Sequence, residues 1–286
     1  MVAQGADHLR YSIIDPTGNI TALVEDEVAV ADQPRVASRI MALHPQVEQV
    51  GFVRFDPAVV SGAPVDGELR MAGGEFCGNA TMSAAALLLL RKGQPGPMDG
   101  DVVTVQLAVS GAARPVEVRL YQTEKQSFDA SILMPDALSI CNRTLAFDGV
   151  SGQLPVVFME GISHVIVQPE SAFFWLLDDA PAAERAVRAW CADLGADGLG
   201  LMFVEKGASE RRLTPLVYVP AADTVFWENS CASGSAATAM CLAASEGAPC
   251  HVALHEPGGT LRVSCDPTGE GTRLYGGARL VAECLL

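Results

Sequence analysis

The chain has little positive charge. Its 19 lysine and arginine residues stand against 34 aspartate and glutamate residues, so the formal net charge at pH 7 is -15. No basic cluster reverses this imbalance locally. Because phosphate backbones and anionic lipid heads are bound by positive patches, the composition argues against nucleic acid and membrane surfaces as partners.

Long apolar runs are also missing. The longest run, around residues 84–90, is far shorter than the ~20 residues that cross a bilayer. The first residues, MVAQGADHLRYSI, lack the basic and apolar regions of a signal peptide. We therefore expect a cytoplasmic protein without a membrane-spanning segment.

The eight cysteines include no CxxC pair and no framework of a small secreted domain. This scatter is typical of reduced thiols and argues against a thiol redox protein. The densest group, Cys241, Cys250, His251 and His255, matches no zinc-ligand spacing, so no metal site is predicted. No lysine lies in a convincing pyridoxal phosphate motif, and we expect no cofactor.

The chain does have enough apolar sequence for substantial cores, since 49% of its 286 residues are hydrophobic. Alternating and β-branched runs, such as VVTVQLAVS, RPVEVRLY, SHVIVQ and TLRVSC, predict that strands dominate. Helices are predicted at residues 32–43, 81–92, 181–194 and 235–244.

The second and fourth of these helices are apolar on nearly every face. We expect Asn79 to cap the first of this pair and Ser233 or Ser235 to cap the other, with Gly93 and Gly247 just past their ends. A helix without a polar face must be surrounded by protein. The sequence thus predicts an α/β (α+β) protein with two domains, each a curved, mostly antiparallel sheet wrapped around a central apolar helix.

A cysteine stands just before each apolar helix, Cys77 in GGEFCGNAT and Cys231 in ENSCASGSAATA. The two lie about one domain length apart, so we interpret the halves as an ancient duplication that gives two pseudo-symmetric domains. The first domain is predicted at residues 1–125, closed by a C-terminal strand at 274–286. The second is predicted at residues 126–273.

The start of a helix gives a cysteine useful chemistry. First-turn N–H groups lack internal partners and attract a carboxylate, and the same field favours thiolate over thiol. If both helix starts converge on one cleft, a bound amino acid has one sulfur on each side of its Cα. One thiolate would then remove the α-proton while the other thiol protonates the opposite face, which is racemisation.

These motifs resemble the two cysteine motifs of the diaminopimelate epimerase and proline racemase superfamily of cofactor-independent amino-acid racemases. DPTGNITALV, EGISHVIV, EPGGTLRV and YGGARLVAE are similar to further motifs of that family, in the family's order across nearly the whole chain. The resemblance implies a diaminopimelate-epimerase-like fold and an isomerase that acts on a small-molecule amino acid. Formation of a homodimer is left open.

Matched position by position, Cys77 and Cys231 resemble the catalytic pair. The amide cradle for the α-carboxylate would comprise Gly78, Asn79, Ala232, Ser233 and Gly234. The groups that contact substrate, tune the thiols or hold the ammonium would be Asn19, Glu75, Ser163, His164 and Glu228. Structural alternatives are a core histidine for His164, a capping or solvated role for Glu75, and a turn role for Asn19.

The substrate is indicated by departures from the family pattern. Diaminopimelate epimerases carry an arginine where this chain has Met82, and a Glu-Arg pair where it has Ala222 and Asp223, which argues against diaminopimelate. GGEFCGNAT, GNIT and ENSC most resemble the histidine racemases of the superfamily, which serve opine-type metallophore synthesis. The alternatives are diaminopimelate epimerase, a phenazine-biosynthesis-type isomerase in which a carboxylate such as Glu75 moves the proton, and a protein that only binds a carboxylated ligand.

Overall fold

The computed structural model describes residues 8–60, 62–93, 102–206 and 210–286. The chain divides into two compact units. The first comprises Met1–Ile132 and Gly276–Leu286, and the second comprises Leu133–Tyr275.

The described strands, in chain order, are β1 (Arg10–Asp15), β2 (Thr21–Val24), β3 (Gln49–Arg54), β4 (Ala58–Val60), β5 (Ala63–Val65), β6 (Gly67–Met71), β7 (Val103–Val109), β8 (Val116–Glu124), β9 (Ser127–Leu133), β10 (Ser139–Phe147), β11 (Val150–Phe158), β12 (Ser163–Val167), β13 (Leu199–Lys206), β14 (Arg211–Val219), β15 (Thr224–Trp227), β16 (Cys250–Glu256), β17 (Gly259–Cys265) and β18 (Arg273–Leu285). The α-helices are α1 (Gln33–Leu43), α2 (Gly78–Arg91), α3 (Ala180–Leu194) and α4 (Ala232–Glu246).

The first unit is a closed sheet around α2. Its described strands pair in the order β1-β2-β3-β6-β7-β8-β9-β18, and β18 pairs back with β1. Only β2 with β3 and β6 with β7 run parallel within this ring. The alternation of buried and partly exposed residues is typical of a strand with one face on the core. In β7, Val105, Leu107 and Val109 are buried while the residues between them are partly exposed. Helix α2 is buried continuously from Gly78 to Leu89, as its lack of a polar face requires.

The second unit repeats this plan. Its described strands pair in the order β17-β16-β14-β13-β12-β11-β10, the start of β18 extends the sheet beside β17, and β15 joins β14. Here β12 with β13 and β14 with β16 are the parallel pairs. Helix α4 is buried from Ala232 to Ala243 and contacts β10–β13, β16 and β17. The predicted architecture, a mostly antiparallel sheet with a central apolar helix, is therefore confirmed in each unit.

The amphipathic helices cover other surfaces of the two sheets. Helix α1 buries Val36, Ala37 and Ile40 in a cluster that includes residues of β1, β2 and β3. Helix α3 buries Trp190, whose ring packs edge-on against Phe173 at a centroid distance of 4.9 Å. Burying a large apolar side chain contributes about 1.5–3 kcal/mol to the free energy of folding. The apolar faces of α1 and α3 therefore stabilise the sheets against which they pack.

The starts of the two apolar helices differ from the sequence-based expectation. Asn79 does not cap α2, and neither Ser233 nor Ser235 caps α4. The caps are Cys77 and Cys231, whose sulfur atoms accept first-turn backbone N–H groups, so each helix begins three residues earlier than predicted. The C-terminal expectation for α4 is confirmed, because Gly247 is its C-cap in the left-handed conformation (φ 63°).

Within the described ranges, no helix combines the length and apolar character that a membrane span needs. All eight cysteines are free thiols.

Candidate active site

Cys77 is the N-cap of α2, in the first unit. Its Sγ accepts a hydrogen bond from the backbone N–H of Ala80 at 3.4 Å. Its carbonyl oxygen accepts both the N–H of Thr81, at 3.0 Å, and the Thr81 hydroxyl, at 2.6 Å. The sulfur is thus held where the partial positive charge of the helix start acts on it, and that charge favours an anion.

A chain of polar side chains leads from Cys77 to Asn19. The Cys77 thiol donates to Gln49 Oε1 at 2.9 Å. Gln49 Nε2 donates to Asn19 Oδ1 and, at 2.9 Å, to Thr21 Oγ1. Asn19 in turn donates to Glu48 Oε2 at 2.6 Å. The structure therefore connects Asn19, a residue expected in the site, with Cys77 through Gln49.

Sequence reasoning missed Gln49. It begins β3 and lies opposite Thr21 of β2 in the parallel register, which carries its side chain to the start of α2. The available signal was a polar residue that follows Glu48 and directly precedes the buried residues 50–53 of the strand QVGFVR.

Ser110 and Gly111 hold the loop before Cys77 in place. Ser110 Oγ donates to the carbonyl oxygen of Glu75 and accepts the N–H of Met71, both at 2.9 Å. Gly111 has φ 73°, and a Cβ there would overlap the backbone nitrogen of Phe76 and lie 2.8 Å from the carbonyl carbon of Glu75. Only glycine allows this close approach of two backbone segments.

Glu75 belongs to this loop, and one oxygen of its carboxyl group is buried. Its Oε2 atom is buried and has no hydrogen-bond partner among the described residues. Burial raises the pKa of Glu75, while backbone hydrogen bonds and the charge of Arg70 act in the opposite direction. A carboxyl group with a raised pKa can carry a proton closer to neutral pH than an ordinary glutamate.

The first turn of α2 contributes the predicted amide cradle of the first unit. Gly78 and Asn79 are its first two residues and both are buried. N–H groups at these positions have no acceptor within a helix. They can therefore receive a carboxylate at the same helix start that holds the Cys77 sulfur.

Cys231 has the equivalent position at the start of α4, in the second unit. Its Sγ accepts the backbone N–H of Gly234 at 3.4 Å and lies 3.7 Å from Ser233 Oγ. The residue is only 4% exposed. Ala232 and Ser233, also buried, begin the helix and place the second predicted amide cradle beside this sulfur.

Glu256 secures this second helix start, and the sequence analysis did not single it out. Its carboxylate accepts the backbone N–H of Cys231 and the hydroxyl of Ser235, each at 2.6 Å, and the residue is 7% exposed. Glu256 ends β16 directly before the Pro-Gly-Gly turn, so the EPGGTLRV motif carried the signal. Charge-assisted hydrogen bonds of this length are among the strong ones in proteins.

The surroundings of Cys231 favour the protonated thiol. Burial raises the pKa of Cys231 well above its ordinary value, and the negative charges of Glu228 and Glu256 raise the pKa further. The hydrogen bonds from Gly234 and Ser233 lower it, with smaller effect. Glu228, one of the predicted site residues, thus acts on this thiol through its charge.

His164 is fully buried on β12, opposite Gly200 of β13. Neither ring nitrogen has a hydrogen-bond partner among the described residues, and burial lowers the pKa of His164 to about 3. A Cβ at Gly200 would overlap the imidazole, and Met202 fills the space from Gly200 to Gly234 at the start of α4. The imidazole is therefore neutral and close to the Cys231 end of the second unit.

Ser163 is the predicted site residue for which the structure shows no contact with the surroundings of Cys77 or Cys231 among the described residues. Ser163 is buried at the start of β12, where its N–H donates to the carbonyl oxygen of Gly198 at 3.0 Å. In the first unit, Asn19, Glu75, Gly78 and Asn79 gather around Cys77. In the second, Glu228, Ala232, Ser233 and Gly234 gather around Cys231.

A family model described as the histidine racemase CntK N-terminal domain matches residues 8–283. The chain belongs to this family. A histidine racemase of Staphylococcus aureus is 26% identical over 96% of both chains. A histidine racemase of Fusobacterium nucleatum is 30% identical over 80% of this chain and 79% of its own. The predicted superfamily is thus confirmed, and the protein is an isomerase of the amino-acid racemase type.

Solved structures show the same fold at low identity. A hydroxyproline epimerase from Agrobacterium vitis, with bound trans-4-hydroxy-L-proline, is 14% identical with a TM-score of 0.67 and covers 98% of this chain and 92% of its own. A predicted epimerase from Pseudomonas aeruginosa is 16% identical with a TM-score of 0.63 and covers 97% and 99%. This chain therefore has the same fold as these two proteins.

Proposed function

We propose that this protein racemises free histidine by a two-base reaction in which Cys77 and Cys231 act on opposite faces of the Cα atom. The observation that carries the proposal is that each apolar helix begins at a cysteine whose sulfur accepts a first-turn N–H group. The family match and relatives named histidine racemases support histidine as the substrate.

The protonation states favour a starting assignment. Burial and neighbouring carboxylates keep Cys231 protonated, so we assign it as the proton donor and Cys77, as thiolate, as the base. The Cys77 thiolate takes the α-proton, and the Cys231 thiol delivers its proton to the opposite face of the carbanion. The product leaves behind a Cys77 thiol and a Cys231 thiolate, and the reverse reaction restores the first state.

Gln49 suits a sulfur that must exist in both forms. Its amide oxygen accepts a proton from the thiol. Rotation of the amide would instead present an N–H donor to a thiolate, since the two ends of an amide differ in this way. The side chain can thus solvate either state without a change in charge.

The carbanion must be stabilised because an α-proton is far less acidic than a thiol. We assign to the first-turn N–H groups of Gly78, Asn79 and Ser233 the binding of the α-carboxylate, on which negative charge builds up in the transition state. The buried helices around them exclude water, which strengthens each of these interactions.

Exchange of the α-proton tests the proposal directly. L-histidine is incubated with the protein in deuterium oxide, and chirality and deuterium content are followed by chiral chromatography with mass spectrometry. We expect deuterium in both enantiomers as the optical rotation decays, and a smaller effect for other amino acids in a panel. A panel in which another amino acid is racemised faster would overturn the assignment of histidine.

Matched cysteine variants test the pair. Cys77→Ser and Cys231→Ser should each reduce kcat by about 1000-fold or more, because one face of the substrate then lacks its acid or base. Cys141→Ser, a half-buried cysteine on β10, serves as the control. A phenazine-type isomerase on the same fold would depend on Glu75 instead and remain active in both variants.

We further propose that the enzyme works in the cytoplasm, where its free thiols stay reduced, and supplies D-histidine for opine-type metallophore synthesis. Cofactor independence is part of the proposal: the activity should survive exhaustive dialysis against a chelator and show no pyridoxal absorbance. Gel filtration at several protein concentrations tests for a homodimer.

A further inference from the structure

Two cysteines outside the proposed site face each other in the β16–β17 hairpin. Cys250 is directly opposite Cys265 in the antiparallel register, and both are free thiols. Directly opposed residues of antiparallel strands have Cα atoms about 4.5–5.5 Å apart. Disulfides span Cα distances of roughly 4.4–6.8 Å, so this pair can be bridged without separating the strands.

The two thiols differ in exposure. Cys250 begins β16 and is partly exposed, whereas Cys265 ends β17 and is only 5% exposed. An oxidant from solvent therefore meets Cys250 first. Cys265 lies behind it, in the position of a resolving thiol.

Arg211 adds a positive charge on the strand next to β16. Arg211, at the start of β14, is opposite Leu254 in the parallel β14–β16 register, and its buried Nη1 atom has no hydrogen-bond partner among the described residues. The neighbouring Cys265 thiol lowers the pKa of Cys250, burial and the charge of Glu246 raise it, and the charge of Arg211 lowers it by the smallest of these effects. The pKa of Cys265 is raised, chiefly by its interaction with Cys250.

We propose that Cys250 and Cys265 form an oxidisable pair, in which Cys250 reacts with peroxide and Cys265 closes an intramolecular disulfide. The Cys250 thiolate attacks one oxygen of hydrogen peroxide, which breaks the O–O bond and gives sulfenic acid and hydroxide. The Cys265 thiol then attacks the sulfenic sulfur and releases water. Two electrons pass from the sulfurs to the peroxide, which ends as two molecules of water, and a thiol reductant reverses the change.

Two other cysteines of the second unit, Cys191 and Cys241, lack this combination. Cys191 is buried and its thiol donates to the carbonyl oxygen of Ala196 at 3.2 Å. Cys241 is buried in α4, and burial raises its pKa to about 11. Oxidation of the pair also leaves Cys77 and Cys231 unconsumed, so it is separable from inactivation of the proposed catalytic thiols.

Peptide mapping of the full-length protein tests the proposal. The folded protein is treated with one equivalent of hydrogen peroxide, blocked with N-ethylmaleimide and digested without reduction by trypsin together with a glutamate-specific protease. Pro257 protects the Glu256 bond, so cleavage after Glu246, Arg262 and Glu270 isolates Cys250 in residues 247–262 and Cys265 in residues 263–270. We expect these two peptides to be recovered joined, less two hydrogen atoms, and to separate after dithiothreitol.

Single variants establish the order of events. In Cys265→Ser, dimedone should trap a sulfenic acid at Cys250, whereas Cys250→Ser should leave Cys265 unmodified. Arg211→Gln should slow iodoacetamide alkylation of Cys250 at pH 7, because the charge of Arg211 lowers the pKa of Cys250, and Arg211→Lys should restore most of the rate. Cys191→Ser is the control and should leave all three readouts unchanged.

Three results would overturn the proposal. These are oxidation of Cys77 or Cys231 with the 247–262 and 263–270 peptides still separate, a link between two protein molecules, and the absence of a dimedone adduct at Cys250 in Cys265→Ser.

Discussion

The Cys77 thiol donates a hydrogen bond to the side-chain amide of Gln49 across 2.9 Å. The two residues are 28 positions apart in the sequence, and Gln49 also holds the buried Asn19. This contact gives the Cys77 sulfur a neutral partner, whereas the Cys231 sulfur lies near two carboxylates. The two helix starts thus share the same backbone arrangement, a cysteine N-cap, but the charges around the two sulfur atoms differ.

Replacement of Gln49 should therefore change catalysis more than stability. Gln49→Leu should lower kcat/KM for L-histidine by about tenfold, since one hydrogen bond to the reacting sulfur is lost. Gln49→Glu adds a negative charge that disfavours the thiolate, so the acidic limb of the kcat/KM profile should move to higher pH. Gln153→Glu, exposed on β11, carries the same charge change as a control; equal profiles for both Glu variants would contradict a role for Gln49.

The charge of Glu256 should influence the pH dependence of catalysis through the pKa of Cys231. Glu256→Gln removes a charge that raises the pKa of Cys231, so this pKa should fall. Cys231 must be protonated to donate, and the basic limb of the profile for L-histidine should therefore move to lower pH. Pre-steady-state and steady-state rates across pH 6–10 measure this shift, with exposed Glu270→Gln as the control. An unchanged basic limb would show that Glu256 has only a structural role.

Gly111 should be intolerant of any side chain. Gly111→Ala places a Cβ on the backbone of Phe76 at a φ of 73°, so the loop that carries Cys77 must move. We expect a loss of at least about 2 kcal/mol in the free energy of unfolding and more than a tenfold loss of kcat. Gly93→Ala is a matched control, because Gly93 has φ 60° and a Cβ there meets nothing within 4 Å. Similar losses in both variants would mean that backbone strain alone explains the effect.

His164 should make stability depend on pH. Burial lowers its pKa in the folded protein to about 3 from the ordinary 6.5. Between these two pH values the imidazole is protonated in the unfolded chain and neutral in the folded protein. The stability contribution is complete above pH 6.5 and is lost as the pH falls toward 3, by about 1.4 kcal/mol per pH unit and roughly 5 kcal/mol in total.

Urea unfolding at pH 7, 6, 5 and 4 checks this expectation. His164→Gln should show a pH slope shallower by about one proton between pH 6 and 4, while His251→Gln, at an exposed position, should follow the wild type. Parallel slopes for His164→Gln and the wild type would mean that the imidazole is protonated in the folded protein.

Local patterns predicted the four α-helices and several of the strands. Alternating runs such as 102–110 predicted β7, and the unbroken apolar stretch after Cys77 predicted that α2 is enclosed by protein. Both signals depend only on residues close in sequence, because side-chain periodicity follows from backbone geometry. The capping assignments failed at Asn79 and Ser233 because sulfur is not among the usual cap acceptors, although its position allowed it to accept the N–H.

The sequence by itself determined that strands dominate, which two helices must be buried and that a cysteine precedes each of them. Tertiary structure alone decided that Gln49 reaches Cys77 and that Glu256 holds the N–H of Cys231. These contacts join residues 28 and 25 positions apart on separate elements. Their existence depends on strand register and helix placement, which long-range packing sets and no local pattern encodes.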